Sequence, residues 1–387
     1  MKKALLASAV SAILFSNVAS ANNDTDELRK TIEQQKAALA AIEKRLAETE
    51  KNLESTAVAV ESSSSASATT IGGYGELHYN NIKNNKGSDS KSIDFHRFVL
   101  FIGHEFTDKI RFFSEFELEH SLAGEGKPGE VELEQAYVEY DYSETITAKA
   151  GLFLVPVGII NETHEPPTFY GVERNPVEKN IIPATWWEAG AAFTYRAAPG
   201  LTFDGAITSG LEVGDDYKIR GGRQKVASAK AENLAYTGRV KYTAIPGLEL
   251  AATLQYQEDL TQGNGAVDSA AATLIEAHAI YNVDAFSVRA LYASWDIDGD
   301  EAKALGRDEQ TGWYVEPSYR LNEEFGVFAR YAAYDNEAGL NGDTEEKVST
   351  LGVNYYLHEN VVFKLDVENY SGKSDKQGFN LGFGYQF

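Results

Sequence analysis

The chain has 387 residues, with 58 acidic side chains against 35 basic ones and a formal net charge of −23. That balance excludes a nucleic-acid binder, because phosphate neutralisation needs clustered Lys and Arg. The absence of cysteine excludes a disulfide framework, a thiolate metal site and a cysteine nucleophile.

Residues 1–21 read as a signal peptide. MKK supplies the basic start, ALLASAVSAILF an apolar stretch too short to span a bilayer, and Ala19, Ser20 and Ala21 a small-residue cleavage site. No later run is long and apolar enough for a transmembrane helix. Residues 22–56 read as a periplasmic coiled coil. Between Asp24 and Glu54 there is no Gly or Pro, and Leu28, Ile32, Gln35, Leu39, Ile42, Leu46, Thr49 and Leu53 recur at alternating steps of four and three. Leu39 and Leu46 at a-type positions with Ile42 at a d-type position favour trimers or tetramers over dimers. Residues 57–70, which include ESSSSASATT, form a Ser/Ala-rich tether.

From residue 71 to 387 the hydrophobic period changes to two. LAYTGRVKY presents Leu234, Tyr236, Val240 and Tyr242 on one face and Arg239 and Lys241 on the other. VVFKLDVENY separates Val361, Phe363, Leu365 and Val367 from Lys364, Asp366 and Glu368 in the same way. Each run is about ten residues, the length of a tilted strand crossing a bilayer. Seven short connections (around 107–109, 141–144, 196–200, 243–247, 282–285, 320–324 and 357–360) alternate with eight long ones (81–93, 120–130, 155–187, 211–230, 257–270, 296–309, 335–347 and 371–377). The short–long rhythm predicts an all-β fold, a 16-stranded antiparallel transmembrane β-barrel, preceded by the short α-helical coiled coil. An even count puts both ends of the barrel on the periplasmic side, with the coiled coil. A soluble β-sandwich is the competing reading. Against it stand aromatics at strand ends (Tyr195, Tyr242, Tyr256, Tyr281, Trp295, Tyr319, Tyr334, Tyr356 and Tyr370), expected as girdles, and the scarcity of large residues on the polar faces. FNLGFGYQF is expected to close the barrel as its last strand, with Phe387 as the address read by the outer-membrane assembly machinery.

Sixteen strands enclose a water-filled channel, so the expected activity is passive diffusion of small hydrophilic solutes and ions, tuned by whatever narrows and charges the lumen. Residues 155–187 form the longest loop and hold five of the nine prolines, so a stiff loop folded inward is the expected constriction.

The run AKAGLFLVPVG leading to TFYGVERNP, with Gly151, Phe153, Pro156, Gly158, Glu173, Arg174 and Pro176, resembles the phosphate-selective porin O and P family over roughly residues 71–387. The resemblance implies a trimeric 16-stranded outer-membrane porin with inward-folded loops, whose best-known members line the pore with arginines and a lysine cluster. This sequence departs from that pattern. Its lumen-facing bases (Arg97, Arg111, Lys149, Arg239, Lys241, Arg289, Arg330 and Lys364) are matched by acids, among them Glu115, Glu117 and Glu119 on one strand face. General diffusion is thus the first reading and anion or phosphate preference the second, with Arg174, Arg97, Arg111 and Lys149 expected as a basic wall of the constriction. A structural envelope protein tethered through its coiled coil is a third.

The seven histidines are scattered and none lies in a nucleophile motif, so no enzyme and no cofactor are expected. DIDGDE places Asp296, Asp298 and Asp300 at calcium-like spacing but lacks the later Gly and Glu of an EF-hand loop. It offers a weak calcium site, or divalent bridging to lipopolysaccharide. The partners expected are a homotrimer, lipid and lipopolysaccharide, the assembly machinery and small solutes.

Overall fold

The computed structural model describes residues 68–387. The signal peptide, the coiled coil and most of the tether lie outside the described residues. Sixteen strands follow in chain order: β1 (Thr69–Asn84), β2 (Ser90–Thr107), β3 (Ile110–Glu119), β4 (Val131–Asp141), β5 (Ile146–Leu154), β6 (Trp187–Arg196), β7 (Leu201–Thr208) and β8 (Ala235–Tyr242). The second half comprises β9 (Leu248–Gln257), β10 (Ala271–Val283), β11 (Phe286–Asp298), β12 (Glu309–Arg320), β13 (Phe325–Asp335), β14 (Glu346–His358), β15 (Val361–Gly372) and β16 (Lys376–Gln386). Sequence neighbours pair antiparallel all the way round, and β1 pairs with β16 to close the barrel. Closure leaves no strand edge, so ladder hydrogen bonds satisfy the backbone where lipid could not.

Two-residue alternation sets the register of side chains around the ring. On β15, Phe363, Leu365 and Val367 are exposed outward while Lys364, Asp366 and Glu368 are buried inside. On β8, Tyr236 and Val240 point outward and Thr237 and Arg239 inward. At the seam, Tyr74 lies opposite Gln386 and Asn84 opposite Lys376. Phe387 extends the ladder one residue further: its N–H donates to the Gly73 carbonyl and its carbonyl accepts from the Gly73 N–H, both at 2.9 Å.

The seven short and eight longer connections alternate as expected, but two of the latter are brief. β1 and β2 continue to Asn84 and from Ser90, leaving residues 85–89, and β15 and β16 leave only 373–375. Strand pairing continues there, with Ile82 opposite Ser90 and Tyr370 opposite Lys376, so the hairpin ends replace the loops.

The inside of the barrel also differs from a simply wet lumen. Leu274, Leu291, Trp295 and Tyr314 face inward from β10 to β12 and are almost fully buried. Four of the aromatics expected in girdles are inward: Trp295, Tyr334, Tyr356 and Tyr370 share the parity of Leu291, Arg330, Asn354 and Glu368. Position near a strand end suggested the girdle; parity decides the face. Tyr195, Tyr256, Tyr281 and Tyr319 are exposed on the outer surface as expected.

Candidate functional site

The loop that joins β5 to β6, residues 155–186, folds into the barrel, and its own side chains close its neck. The Val155 N–H donates to the Trp186 carbonyl at 3.0 Å. Beside that bond, Asn161 donates through Nδ2 to the carbonyls of Val155 (2.8 Å) and Trp186 (3.0 Å), and its Oδ1 accepts the Trp186 N–H at 2.7 Å. Gly158 turns the chain at φ 72°, where a Cβ would stand 2.7 Å from the Glu178 carboxylate. That approach lets Glu178, on the short helix α1 (Val177–Asn180), accept the N–H groups of Ile159 and Ile160 at 2.8 and 2.6 Å and the Tyr314 hydroxyl at 2.7 Å. Just before the loop, Gly151 has φ 132°, and a Cβ there would meet the Ala136 carbonyl of β4 at 2.4 Å. Two glycines of the family-like motif are therefore required by backbone geometry.

The loop seats its apolar residues on the apolar patch of the inner wall. Val157, Ile181, Ile182 and Trp186 pack with Leu274, Leu291, Trp295 and Tyr314, and the Trp295 indole donates to the Ile181 carbonyl at 2.9 Å. At about 1.5–3 kcal/mol for each fully buried aliphatic or aromatic side chain, this packing outweighs any single polar contact of the loop. The polar contacts fix where the loop lies.

Those contacts engage four of the eight lumen-facing cations. Lys364 donates to the carbonyls of Phe169 (3.0 Å) and Gly171 (2.8 Å), Arg289 to Thr168 (3.0 Å) and Arg330 to Tyr170 (3.1 Å). Arg239 bridges Glu162 of the loop and Asp204 of β7. On the other side His164 sits between Glu115 (3.3 Å) and Glu134 (3.6 Å), and Glu173 accepts from Asn80 and pairs with His78. Burial would lower the His164 pKa, but the two glutamates overcome it and raise it to about 10.

Between the loop and the β5–β8 wall a cavity of about 270 Å³ remains, lined by Lys149, Arg196, Arg239 and Lys241 against Glu162 and Asp204. Lys149 stands over the rings of Tyr137 and Phe153 rather than on a carboxylate. A second set of cations lies between the inward loop and the loop joining β7 to β8. Arg220 donates to the carbonyls of Lys179 and Ala184, and Arg223 to that of Thr185. Burial and then the repulsion of Arg223, Arg174 and Arg97 disfavour the Arg220 cation. Burial lowers the Lys179 pKa too, and Arg220 and Arg174 add to the shift against the pull of Glu173. Nε and one terminal nitrogen of Arg174 are buried with no hydrogen-bond partner among the described residues.

A closed 16-stranded barrel with an inward loop and a charged cavity beside it is the architecture of a diffusion channel. The family model for phosphate-selective porin O and P matches residues 72–379. The chain belongs to that family. It is an outer-membrane porin, a channel for passive diffusion. A protein of Aquifex aeolicus (strain VF5) described as uncharacterized is 29% identical over 357 aligned residues, covering 82% of this porin and 80% of its own length. Among solved structures, the anion-selective porin from Comamonas acidovorans aligns with a TM-score of 0.60 at 13% identity, over 82% of this porin and 99% of that chain. In-vitro folded OmpT of Vibrio cholerae in its trimer form aligns with a TM-score of 0.56 at 11% identity, over 83% of this porin and 100% of that chain. At these identities the likeness is one of fold.

The porin does not gather Arg97, Arg111, Lys149 and Arg174 into one wall. Arg97 pairs with Glu76 (2.7 Å) and Glu117 (3.4 Å), and Arg174 acts on Glu117 and Glu134 nearby. Lys149 lines the separate cavity with Arg239 and Lys241, while Arg111 pairs with Glu139 and Asp141 at the short-turn end. Asp296 and Asp298 lie exposed along β11, and Asp300 starts the short helix α2 (Asp300–Ala304). The residues that sequence reading missed are Asn161, Glu178, Lys179, Arg220 and Arg223. A polar residue inside GIIN and a carboxylate inside PVEKNII were the available signals for the first two. Among the described residues, three groups are close enough to hold an ion: Asp94–His96–His120, Glu115–Glu134–His164 and Glu119–Glu130–Glu132. The second is occupied by the loop clasp, and Lys225 binds Glu130 and Glu132 in the third.

Proposed function

We propose that this porin prefers anions, through a passage whose charges are separated rather than mixed. The carrying observation is the cavity at β5–β8, where four cations line the space with two carboxylates, Arg239 pairs with both of these, and Lys149 stands over aromatic rings. The buried, unpartnered nitrogens of Arg174 and the cations of Lys179, Arg220 and Arg223 offer anions a further stop. Opposite them stands the acidic face of β3 and β4, with Glu117, Glu119, Glu132 and Glu134 acting on Arg174 and Arg223. A basic path walled by low-dielectric protein raises local anion concentration by field focusing. Among the structural neighbours, the Comamonas acidovorans porin is described as anion-selective.

The same reading makes the functional unit a homotrimer, with residues 22–56 as a periplasmic coiled coil, 57–70 as its tether and no chemical step in transport. The leucine-rich heptad seam and the trimer form of a structural neighbour support it. Asp296 and Asp298, outward near the long-loop end, suit divalent bridging to lipopolysaccharide.

Reversal potentials of the purified full-length porin in a potassium chloride gradient test the preference. An anion-selective sign that weakens in Arg174→Ala supports the reading. A cation-selective wild-type channel overturns it.

A further inference from the structure

Three of the seven histidines scattered in sequence, His78, His96 and His120, come together in the fold. The β1–β2 ladder pairs Glu76 with Arg97 but Leu77 with Phe95, so His96 is the extra residue of a β-bulge. Asp94 lies opposite His78, whose ring bonds Glu76 inside the barrel. A bulge re-aims side chains, and here it turns His96 to the inside as well, where it stacks on His78 at 4.7 Å. Both ring nitrogens of His78 are engaged, by Glu76 and Glu173, so it supports the His96 ring without competing for its ligands.

The third member arrives by a different device. His120 follows β3 with φ 51°, and Ser121 continues at φ 58°. Two consecutive non-glycine residues in the left-handed region are uncommon, and such conformations concentrate at functional sites. The turn lets the His120 N–H donate to the His96 carbonyl at 3.2 Å, tying the two histidines together through the backbone. It also brings His120 Nδ1 to 2.7 Å from Asp94 Oδ2, the same oxygen that lies 3.2 Å from His96 Nδ1. The two imidazoles stand edge to face at 5.6 Å. One ligand atom from each of the three residues lies within 4.8 Å of the others. Their side chains are 27%, 25% and 33% exposed, so the remaining coordination positions open to water.

We propose that Asp94, His96 and His120 bind a divalent first-row transition ion of the zinc, nickel or copper class at the long-loop end of the lumen. Two imidazoles and one carboxylate with open positions suit such borderline ions, while calcium and magnesium prefer oxygen alone. The site is one residue removed from the inward loop, because His96 stacks on His78 and His78 bonds Glu173 of that loop. A bound ion adds positive charge on the acidic side of the passage, so it alters conductance as well as binding.

The test uses the full-length porin in detergent, titrated with Zn²⁺ and Cu²⁺, with Mg²⁺ as the oxygen-preferring control. The expected result is one transition ion per chain, bound in the micromolar range or tighter (about −8 kcal/mol or better). The Cu²⁺ electron paramagnetic resonance spectrum should carry couplings to two nitrogens, which a purely acidic site cannot give. Asp94→Asn, His96→Gln and His120→Asn should each weaken Zn²⁺ binding by at least about tenfold. His120→Asn is chosen because Asn tolerates the left-handed conformation, and heat-modifiable gel mobility checks that each variant is folded. Absence of nitrogen coupling at saturating Cu²⁺ would overturn the site. So would Zn²⁺ binding that survives all three variants but is lost in Glu119→Gln/Glu130→Gln/Glu132→Gln.

Discussion

The ammonium of Lys364 lies 3.0 Å from the carbonyl oxygen of Phe169, 2.8 Å from that of Gly171 and 3.6 Å from the centre of the Phe169 ring. A luminal lysine that would be read from sequence as a contact for permeating ions is instead a strut for the loop that narrows the pore. Charge-assisted hydrogen bonds of this kind contribute about 1.5–3 kcal/mol each. Lys364→Met should therefore loosen the loop tip: single-channel current becomes noisier, with excursions to larger conductance, while ion preference changes little. A quiet channel with altered selectivity would contradict that assignment.

Lys149 and Lys241 are the converse case. They line the open cavity, and Lys149 is over aromatic rings rather than locked to loop carbonyls. Lys149→Glu with Lys241→Glu should move the reversal potential toward cation selectivity and leave the barrel's thermal stability nearly unchanged. The effect should be larger at 0.1 M than at 1 M salt, because the Debye length falls from about 10 Å to about 3 Å over that range.

His164 makes the loop clasp sensitive to alkaline rather than acidic pH through its own titration. Its folded pKa is raised to about 10 by Glu115 and Glu134 against the cost of burial. A raised pKa means that the stabilisation is complete below the ordinary histidine value of about 6.5 and disappears as pH climbs through about 10. Conductance of the wild-type channel should hold one level from mildly acidic to neutral pH and show wider, noisier states as pH approaches 10. His164→Leu should show those states already at neutral pH and lose about 3–5 kcal/mol of stability, because Glu115 and Glu134 then lose the cation that stands between them. Adding Glu115→Gln and Glu134→Gln should recover part of that loss in thermal unfolding. No recovery would place the cost in packing instead of charge.

The barrel was legible in the sequence because its determinant is local: parity along each strand and the length of each connection. Parity alone also assigns Trp295, since Phe286, Val288, Ala290 and Tyr292 face outward and an odd-numbered neighbour must face in. Placing it in a girdle gave weight to its position near a strand end over its phase. The inward loop was legible from length and proline content. Its fastening was not, because Lys364 and Phe169 are separated by 195 residues and meet only after the ring has closed. The same limit hides the histidine cluster. A bulge at His96 and a left-handed turn at His120 break the strand period that made the rest readable.

Phe387 joins the first and last strands by its backbone as well as its ring. It exchanges two hydrogen bonds of 2.9 Å with Gly73, and its ring stacks against Phe98 and Tyr385 on the outer surface. Gly73 admits this close approach, since a Cβ there would lie 3.1 Å from the Phe387 ring and 2.2 Å from the Val99 carbonyl. Removing Phe387 strips one rung from the seam between β1 and β16, the pairing that closes the barrel. The yield of folded, heat-modifiable porin in the membrane should fall severalfold, while molecules that do close should conduct normally because the ring points to lipid and not to the lumen. Phe387→Ala separates the two contributions: it keeps both backbone bonds, so a yield as low as the truncation assigns the effect to the aromatic ring, and a near-normal yield assigns it to the seam.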